Sequence, residues 1–226
     1  MNQADTADTR AGQALSTRDK VLAYLRENVL TDPDVQDTFL SEQAIADTVG
    51  VSRTPVREAL VVLASEDLVR LMPKRGVFVP AMTSRELTEL FEIRGVLEKH
   101  AAQKITSLPG ADLTGLRQHL AHQQELADTT PHTPRDAREF IATDREFHQA
   151  LVALAGNRLA TRTYTSLRDR QTRAGLLAVQ ERESRWQEVC AEHALIMRAL
   201  EEGDAEAAAT AIDRHLNTTL VTLLAQ

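Results

Sequence analysis

Beyond Thr83 the chain contains almost no β-prone run, and its apolar residues recur at helical spacing almost to the end. That texture admits only helices packed on helices, because each amphipathic stripe must bury itself against another element. A helix is predicted from Thr83 to about Thr106, opened by a capping box of Thr83 and Glu86, and a second from Asp112 to about Asp128. Others follow over about Pro134 to Leu154, Arg158 to Gln180, Ser184 to Glu202, and Asp204 to Leu224. The breaks fall at Leu108-Pro109-Gly110, at the two prolines between Thr129 and Pro134, at Gly156-Asn157 and at Gly203.

Before residue 80 the texture differs. Val21, Leu22, Leu25 and Val29 predict a first helix from near Ser16 that ends before Asp32-Pro33. A shorter helix after Ser41 buries Ile45 and Val49, and Gly50 stops it where a left-handed residue opens a tight turn. Ser52 is placed to cap a third helix carrying Val56, Leu60 and Leu63, with Pro55 in its first turn, where a missing N–H costs nothing. Leu68-Val69-Arg70-Leu71 and Gly76-Val77-Phe78-Val79 then form a hairpin around Met72-Pro73-Lys74-Arg75. The fold class is therefore mainly α: an N-terminal winged helix-turn-helix over residues 16–80 and an all-α helical bundle over 83–226, with residues 1–15 as a disordered leader.

The chain has 226 residues, of which 42% are hydrophobic and 26% charged, as in an ordinary soluble protein. No run reaches the roughly 20 apolar residues of a membrane span, the polar N-terminus is unlike a signal peptide, and one cysteine, Cys190, permits no internal disulfide, so a cytoplasmic protein is expected. A net charge of −7 excludes a chain that coats nucleic acid without selectivity. Between Arg53 and Arg75, however, the sign reverses: Arg53, Arg57, Arg70, Lys74 and Arg75 outnumber Glu58, Glu66 and Asp67.

In a helix-turn-helix the second helix enters the major groove with its N-terminal residues at the base edges. Ser52, Arg53, Thr54, Pro55 and Arg57 occupy that position here. Arg53 and Arg57 share one face, and arginine is the side chain that best bridges guanine O6 and N7. Lys74, Arg75 and Gly76 at the hairpin tip are placed for the phosphate backbone or an adjacent minor groove. The run Val49-Gly50-Val51-Ser52-Arg53-Thr54-Pro55-Val56-Arg57-Glu58-Ala59-Leu60, followed by Lys74-Arg75-Gly76-Val77-Phe78-Val79, closely resembles the GntR family of bacterial regulators over about Asp19 to Pro80. Relatives usually carry Pro-Gly before the second helix and often an arginine early in it. This chain has Asp37-Thr38-Phe39-Leu40 and Gln43, so a phosphate contact from that helix is expected to be missing.

In the C-terminal part Asp144 and His148 lie four apart on a face shared with Phe140, Phe147 and Leu151. His193 shares a stripe with Val189, Ile196 and Leu200, and His215 one with Ala208, Ile212 and Thr219. Polar groups buried without partners cost on the order of 1–3 kcal/mol each, and one cation held by Asp144, His148, His193 and His215 would remove that cost. Imidazole with a hard oxygen suits zinc first, or nickel, manganese or iron. Separate hydrogen bonds for each core histidine are the alternative. His119 and His122 are also helically spaced, on a patchier face, and read as surface residues.

Asp144-x-x-Phe147-His148, Glu192-His193 and Arg214-His215-Leu216, with Glu92-x-Arg94-x-x-x-Glu98 in the first helix, resemble the FCD ligand-binding domain of the FadR branch over about Thr83 to Leu224. The resemblance implies that Asp144, His148, His193 and His215 are metal ligands and that a small organic acid completes the shell. Arg94 is the first candidate for a second carboxylate contact, with Asn157 and Arg168 behind it. The expected function is a homodimeric transcription regulator, a repressor by the commoner arrangement, on a palindromic double-stranded operator. A purely structural metal and a metal-dependent hydrolase or lyase are the alternatives, the latter needing a positioned base such as Glu146 or Glu192.

Overall fold

The computed structural model describes residues 16–182 and 184–225, the side chains of Pro33 and Glu181 apart. The leader expected over residues 1–15 lies outside them. The chain divides into two compact units: one takes in Asp37–Pro80 and the chain up to Val29, the other Leu30–Gln36 and the chain from Ala81 onward.

In the first unit α1 (Thr17–Tyr24) is capped by the Ser16 hydroxyl, which accepts from the Asp19 N–H at 3.1 Å. Its continuation widens into a π-helical turn over Leu25–Val29, where a single uninterrupted helix was expected. A short strand, β1 (Thr38–Leu40), precedes α2 (Glu42–Val49). Gly50 adopts φ 73° as the left-handed end of α2 and α3 (Arg53–Ser65) follows, so the glycine turn predicted between the two helices is present. β2 (Arg70–Met72) and β3 (Gly76–Val79) form the wing, and β3 is the centre of an antiparallel sheet ordered β1-β3-β2. Gly76 sits at φ 100°, and a Cβ there would stand 2.9 Å from the Leu40 carbonyl oxygen, so the close pairing of β1 and the wing tip requires glycine. Val21, Leu25, Ile45, Val56, Leu60, Leu63 and Val77 fill the core beneath.

The second unit is a bundle of α4 (Ser84–Thr106), α5 (Thr114–Asp128), α6 (Pro134–Leu154), α7 (Arg158–Ser166), α8 (Arg168–Glu181), α9 (Ser184–Glu202) and α10 (Ala205–Leu224). α10 packs along α4 and α9, α5 along α6 and α9, and α8 along α6. Thr83 and Glu86 form the capping box of α4, and the Asp204 carboxylate accepts from the Glu206 and Ala207 N–H groups at the start of α10. The helix expected over Arg158 to Gln180 is broken at Leu167. Thr161, Thr165 and Ser166 return their hydroxyls to the carbonyls of Asn157, Thr161 and Thr163. Phe147, Leu151, Ile196, Ala208 and Ile212 lie in the main core, and Cys190, 3% exposed, belongs to a second cluster around Trp186, where burial pushes its thiol up to about 12.

Candidate nucleic-acid interface and metal centre

Ser52 stands at the N-cap of α3 with extended backbone, but its hydroxyl makes no capping bond and is left to solvent together with Thr54. Arg53 and Arg57 follow on the exposed face, their side chains 58% and 66% accessible. A groove of about 750 Å³ lies between this face and the wing, and Arg53, Arg57, Lys74, Arg75 and Gly76 all line it. The fold thus gathers those five sequence-predicted residues around one concavity. Lys74 holds φ 64° at the wing turn, closed by the Arg75 N–H donating to the Met72 carbonyl at 3.0 Å. One residue absent from the sequence reading also enters this groove: the Glu42 carboxylate, which accepts from Arg53 Nη2 and Arg57 Nη2, both at 3.1 Å. Burial pushes its carboxyl up, and the two arginines outweigh this and hold it below the usual carboxylate range.

In the second unit Asp144 and His148 come from α6, His193 from α9 and His215 from α10, and one ligating atom from each falls within 4.8 Å of all the others. His148 Nε2 is 3.1 Å from His193 Nε2 and 3.2 Å from His215 Nε2, and Asp144 Oδ1 lies 3.5 Å from His193 Nε2. All three rings are buried. His193 and His215 are each turned by an acceptor behind them, Gln123 Oε1 2.7 Å from His193 Nδ1 and Glu192 Oε2 2.8 Å from His215 Nδ1, while His148 Nδ1 stands 2.8 Å from Glu98 Oε2 as a close polar contact without hydrogen-bond geometry. With the Nδ1 protons of His193 and His215 directed outward, their Nε2 lone pairs face His148 Nε2. Desolvation is the first cause that lowers the pKa of His193 and of His215, with the neighbouring imidazoles adding to it, so both rings are held in the neutral form that ligates.

That arrangement fits a cation. At a metal–nitrogen distance of about 2.1 Å, ligands at right angles stand about 3 Å apart, close to the imidazole spacings here. Without a cation, one Nε2 must carry a proton to bridge its neighbours.

The outer ring is equally ordered. Arg185, fully buried, donates Nη1 and Nη2 to the two oxygens of Glu192 at 2.9 Å each and Nη2 to Thr219 Oγ1 at 2.7 Å. Glu98, also fully buried, accepts from Tyr164 Oη at 2.6 Å and Arg94 Nε at 2.9 Å. Burial opposes the charge on Glu98, and His148 and Arg94 more than offset it, holding the carboxyl well below the usual range. The sequence reading named Glu98 only as part of the pattern around Arg94 and Thr219 only in the stripe of His215, and it missed Gln123, Tyr164 and Arg185.

The three residues expected at an effector site part company. Arg94 is 5% exposed beside the cluster, and among the described residues its only hydrogen bond is through Nε, so both terminal amino groups keep their donors. Asn157 is instead the N-cap of α7: its Oδ1 accepts from the Leu159 and Ala160 N–H groups, and no hydrogen bond or ion pair joins it to the histidines. Arg168 is exposed at the start of α8. The fold thus places those two at a helix cap and on the surface. His119 and His122 are half-buried and paired with Glu146 and with Glu125 and Glu139, outside the cluster. Neither base considered for hydrolysis faces the centre unencumbered: Glu192 is taken by Arg185 and His215, and Glu146 is half-exposed beside His119.

Comparison with known proteins bears on both units. Residues 17–79 match the family model described as bacterial regulatory proteins, gntR family, and residues 89–218 match the FCD domain. A Streptomyces ambofaciens protein, named an uncharacterized HTH-type transcriptional regulator in an unstable DNA locus, is 33% identical over 89% of this chain and 82% of its own length. The Escherichia coli transcriptional repressor RspR is 27% identical over 93% of this chain and 90% of its own. The gluconate operon transcriptional repressor of Bacillus subtilis is 32% identical, over 61% of this chain and 54% of its own length. Among solved structures, a transcriptional regulator GntR from Rhodococcus sp. RHA1 matches with a TM-score of 0.77 at 24% identity, covering 92% of this chain and 97% of that one, a likeness of fold.

Proposed function

The chain belongs to the gntR family of bacterial regulatory proteins, carries an FCD domain and is a DNA-binding transcriptional regulator, not an enzyme; from that premise we propose a repressor whose grip on its operator is set by a small carboxylate at the Asp144–His148–His193–His215 centre. The observation that carries this reading is the juxtaposition of that centre with Arg94, whose terminal amino groups are unspent. A divalent metal held there, zinc first and nickel, manganese or iron after it, supplies a Lewis-acidic centre with positions for oxygen donors beyond the four side chains. Arg94 offers two parallel N–H donors to an acid in the same place, the fork geometry that suits a carboxylate. A relative that represses a gluconate operon agrees with a hydroxycarboxylate signal. The protein is taken to act in the cytoplasm as a homodimer on a palindromic operator; no described helix is long and apolar enough to cross a membrane.

The test is operator release. With an operator found by selection from random duplexes, a panel of small carboxylates is added to the complex with and without chelator. One acid is expected to shift affinity by about 5- to 150-fold, the range of ordinary allosteric coupling, and chelation or Arg94→Ala is expected to erase the shift. Chelation that lowers stability while no acid moves affinity would make the metal purely structural.

On the DNA side, Ser52, Arg53, Thr54, Pro55 and Arg57 are proposed to face bases and nearby phosphates, and Lys74, Arg75 and Gly76 the backbone. Arg53→Ala is then expected to relax discrimination at one or two operator positions by roughly 1–3 kcal/mol, whereas Lys74→Ala weakens all duplexes alike and flattens the salt slope by about one. Equal loss of specificity from both, measured by fluorescence anisotropy across a salt series, would sink this division of roles.

A further inference from the structure

An acidic side chain on a surface that must approach phosphate is a cost, and Glu42 stands on such a surface. It lies in the first turn of α2, where the helix dipole favours a carboxylate, and the Ser41 hydroxyl caps that turn independently by accepting from the Ala44 N–H at 3.3 Å. Its side chain is 16% exposed and lines the same groove as the two arginines it binds. Arg57 is taken along one edge, Nη2 at 3.1 Å and Nε at 3.4 Å, which leaves Nη1 and the second N–H of Nη2 to project side by side. Arg53 is taken through Nη2 alone at 3.1 Å, which leaves Nε and Nη1. Neither arginine has another hydrogen bond among the described residues.

A guanine edge asks for two donors in a fixed direction, whereas a phosphate accepts a guanidinium in many postures. An unrestrained arginine therefore favours phosphate on any sequence. A carboxylate that already occupies one edge of the fork removes postures suited to phosphate, cancels part of the charge that draws the protein to every duplex, and lowers the ordering needed when the base is met.

We propose that Glu42 is a positioning residue for base readout: by bridging Arg53 and Arg57 it presets both arginines and raises the ratio of operator binding to binding on unrelated DNA. The inference rests on α3 as the recognition helix and deepens it, since Glu42 touches no base itself.

The test compares wild type, Glu42→Gln and Glu42→Asp as full-length proteins. Each is put through selection from a pool of random duplexes, then titrated by anisotropy against the wild type's enriched duplex and a scrambled one over a salt series. Glu42→Gln keeps the shape and loses the charge: scrambled DNA is expected to bind more tightly, its salt slope to steepen by about one, and the operator-to-scrambled ratio to fall about tenfold. Glu42→Asp keeps the charge and loses the reach: the ratio is expected to fall while the slope stays put. If both variants melt like wild type and keep its ratio and its enriched sequence, Glu42 merely ties α2 to α3 and the inference is overturned. A rise of operator and scrambled affinity by the same factor in Glu42→Gln overturns it too, leaving only a brake on charge. A wild-type protein that enriches nothing would reject the reading of α3, and this inference with it.

Discussion

Glu98→Ala is expected to lower the unfolding free energy of the helical unit by about 3–5 kcal/mol, the usual consequence of removing one partner from a buried ion pair. Glu98 is completely buried on α4 and ties three elements together: Arg94 on its own helix at 2.9 Å, Tyr164 of α7 at 2.6 Å, and His148 of α6 at 2.8 Å. Alanine would strand the Arg94 guanidinium and the Tyr164 hydroxyl away from water. Glu98→Gln keeps an acceptor in the same place and is expected to cost less, about 1–3 kcal/mol. The chain has one tryptophan, Trp186, buried in the helical unit, so urea unfolding followed by its fluorescence reports that unit directly. A midpoint in Glu98→Ala equal to that of wild type would mean that Arg94 reaches solvent on its own, and that the network does not hold the helices.

The parts of the fold that could be read from sequence are those whose cause is local. Thr83 with Glu86 and Asp204 announce helix starts because their side chains bond N–H groups two or three residues on, and Gly50 and Gly203 announce ends because each takes a left-handed conformation. β1 was not legible. Its three residues carry no alternation of their own and become a strand only by pairing Phe39 with Phe78 of β3. The break at Leu167 was not legible either, since neither a glycine nor a proline stands there to mark it.

At the candidate metal centre the same limit separates inner from outer residues. Asp144, His148, His193 and His215 each interrupt an apolar stripe, so a periodicity argument finds them. Periodicity names a face but not the neighbour across from it. Gln123 meets His193 from 70 positions away and Tyr164 meets Glu98 from 66, distances at which a single sequence carries no pairing signal. Arg185 was further hidden by its type, since arginine is expected outside. Arg94 neutralises Glu98 through Nε and keeps its terminal N–H groups for the acid proposed above, so an effector that drew it away would act on α4 and His148 at once.

Removal of the proposed cation should produce the second large effect. A ligand present at about a thousand times its dissociation constant stabilises the native state by about 4 kcal/mol, which in a domain of this size corresponds to roughly 8–16 °C in melting temperature. Chelator added to the purified protein should therefore lower the Trp186-reported transition by that amount, and zinc, nickel or manganese returned singly should restore it to different extents. His148→Ala should bind little metal by elemental analysis and show no response to chelator, because His148 Nε2 is the atom nearest both other imidazoles. Gln123→Ala leaves all four proposed ligands in place and removes only the acceptor behind His193, so its metal affinity should fall by about 10- to 100-fold while the response to saturating metal survives. If instead the wild-type protein carries no metal and melts identically with and without chelator, the three rings are core histidines of which one carries its proton on Nε2 and hydrogen-bonds a neighbour. The acceptors behind them would then serve packing alone, and Arg94 would be left as the sole anchor for an acid.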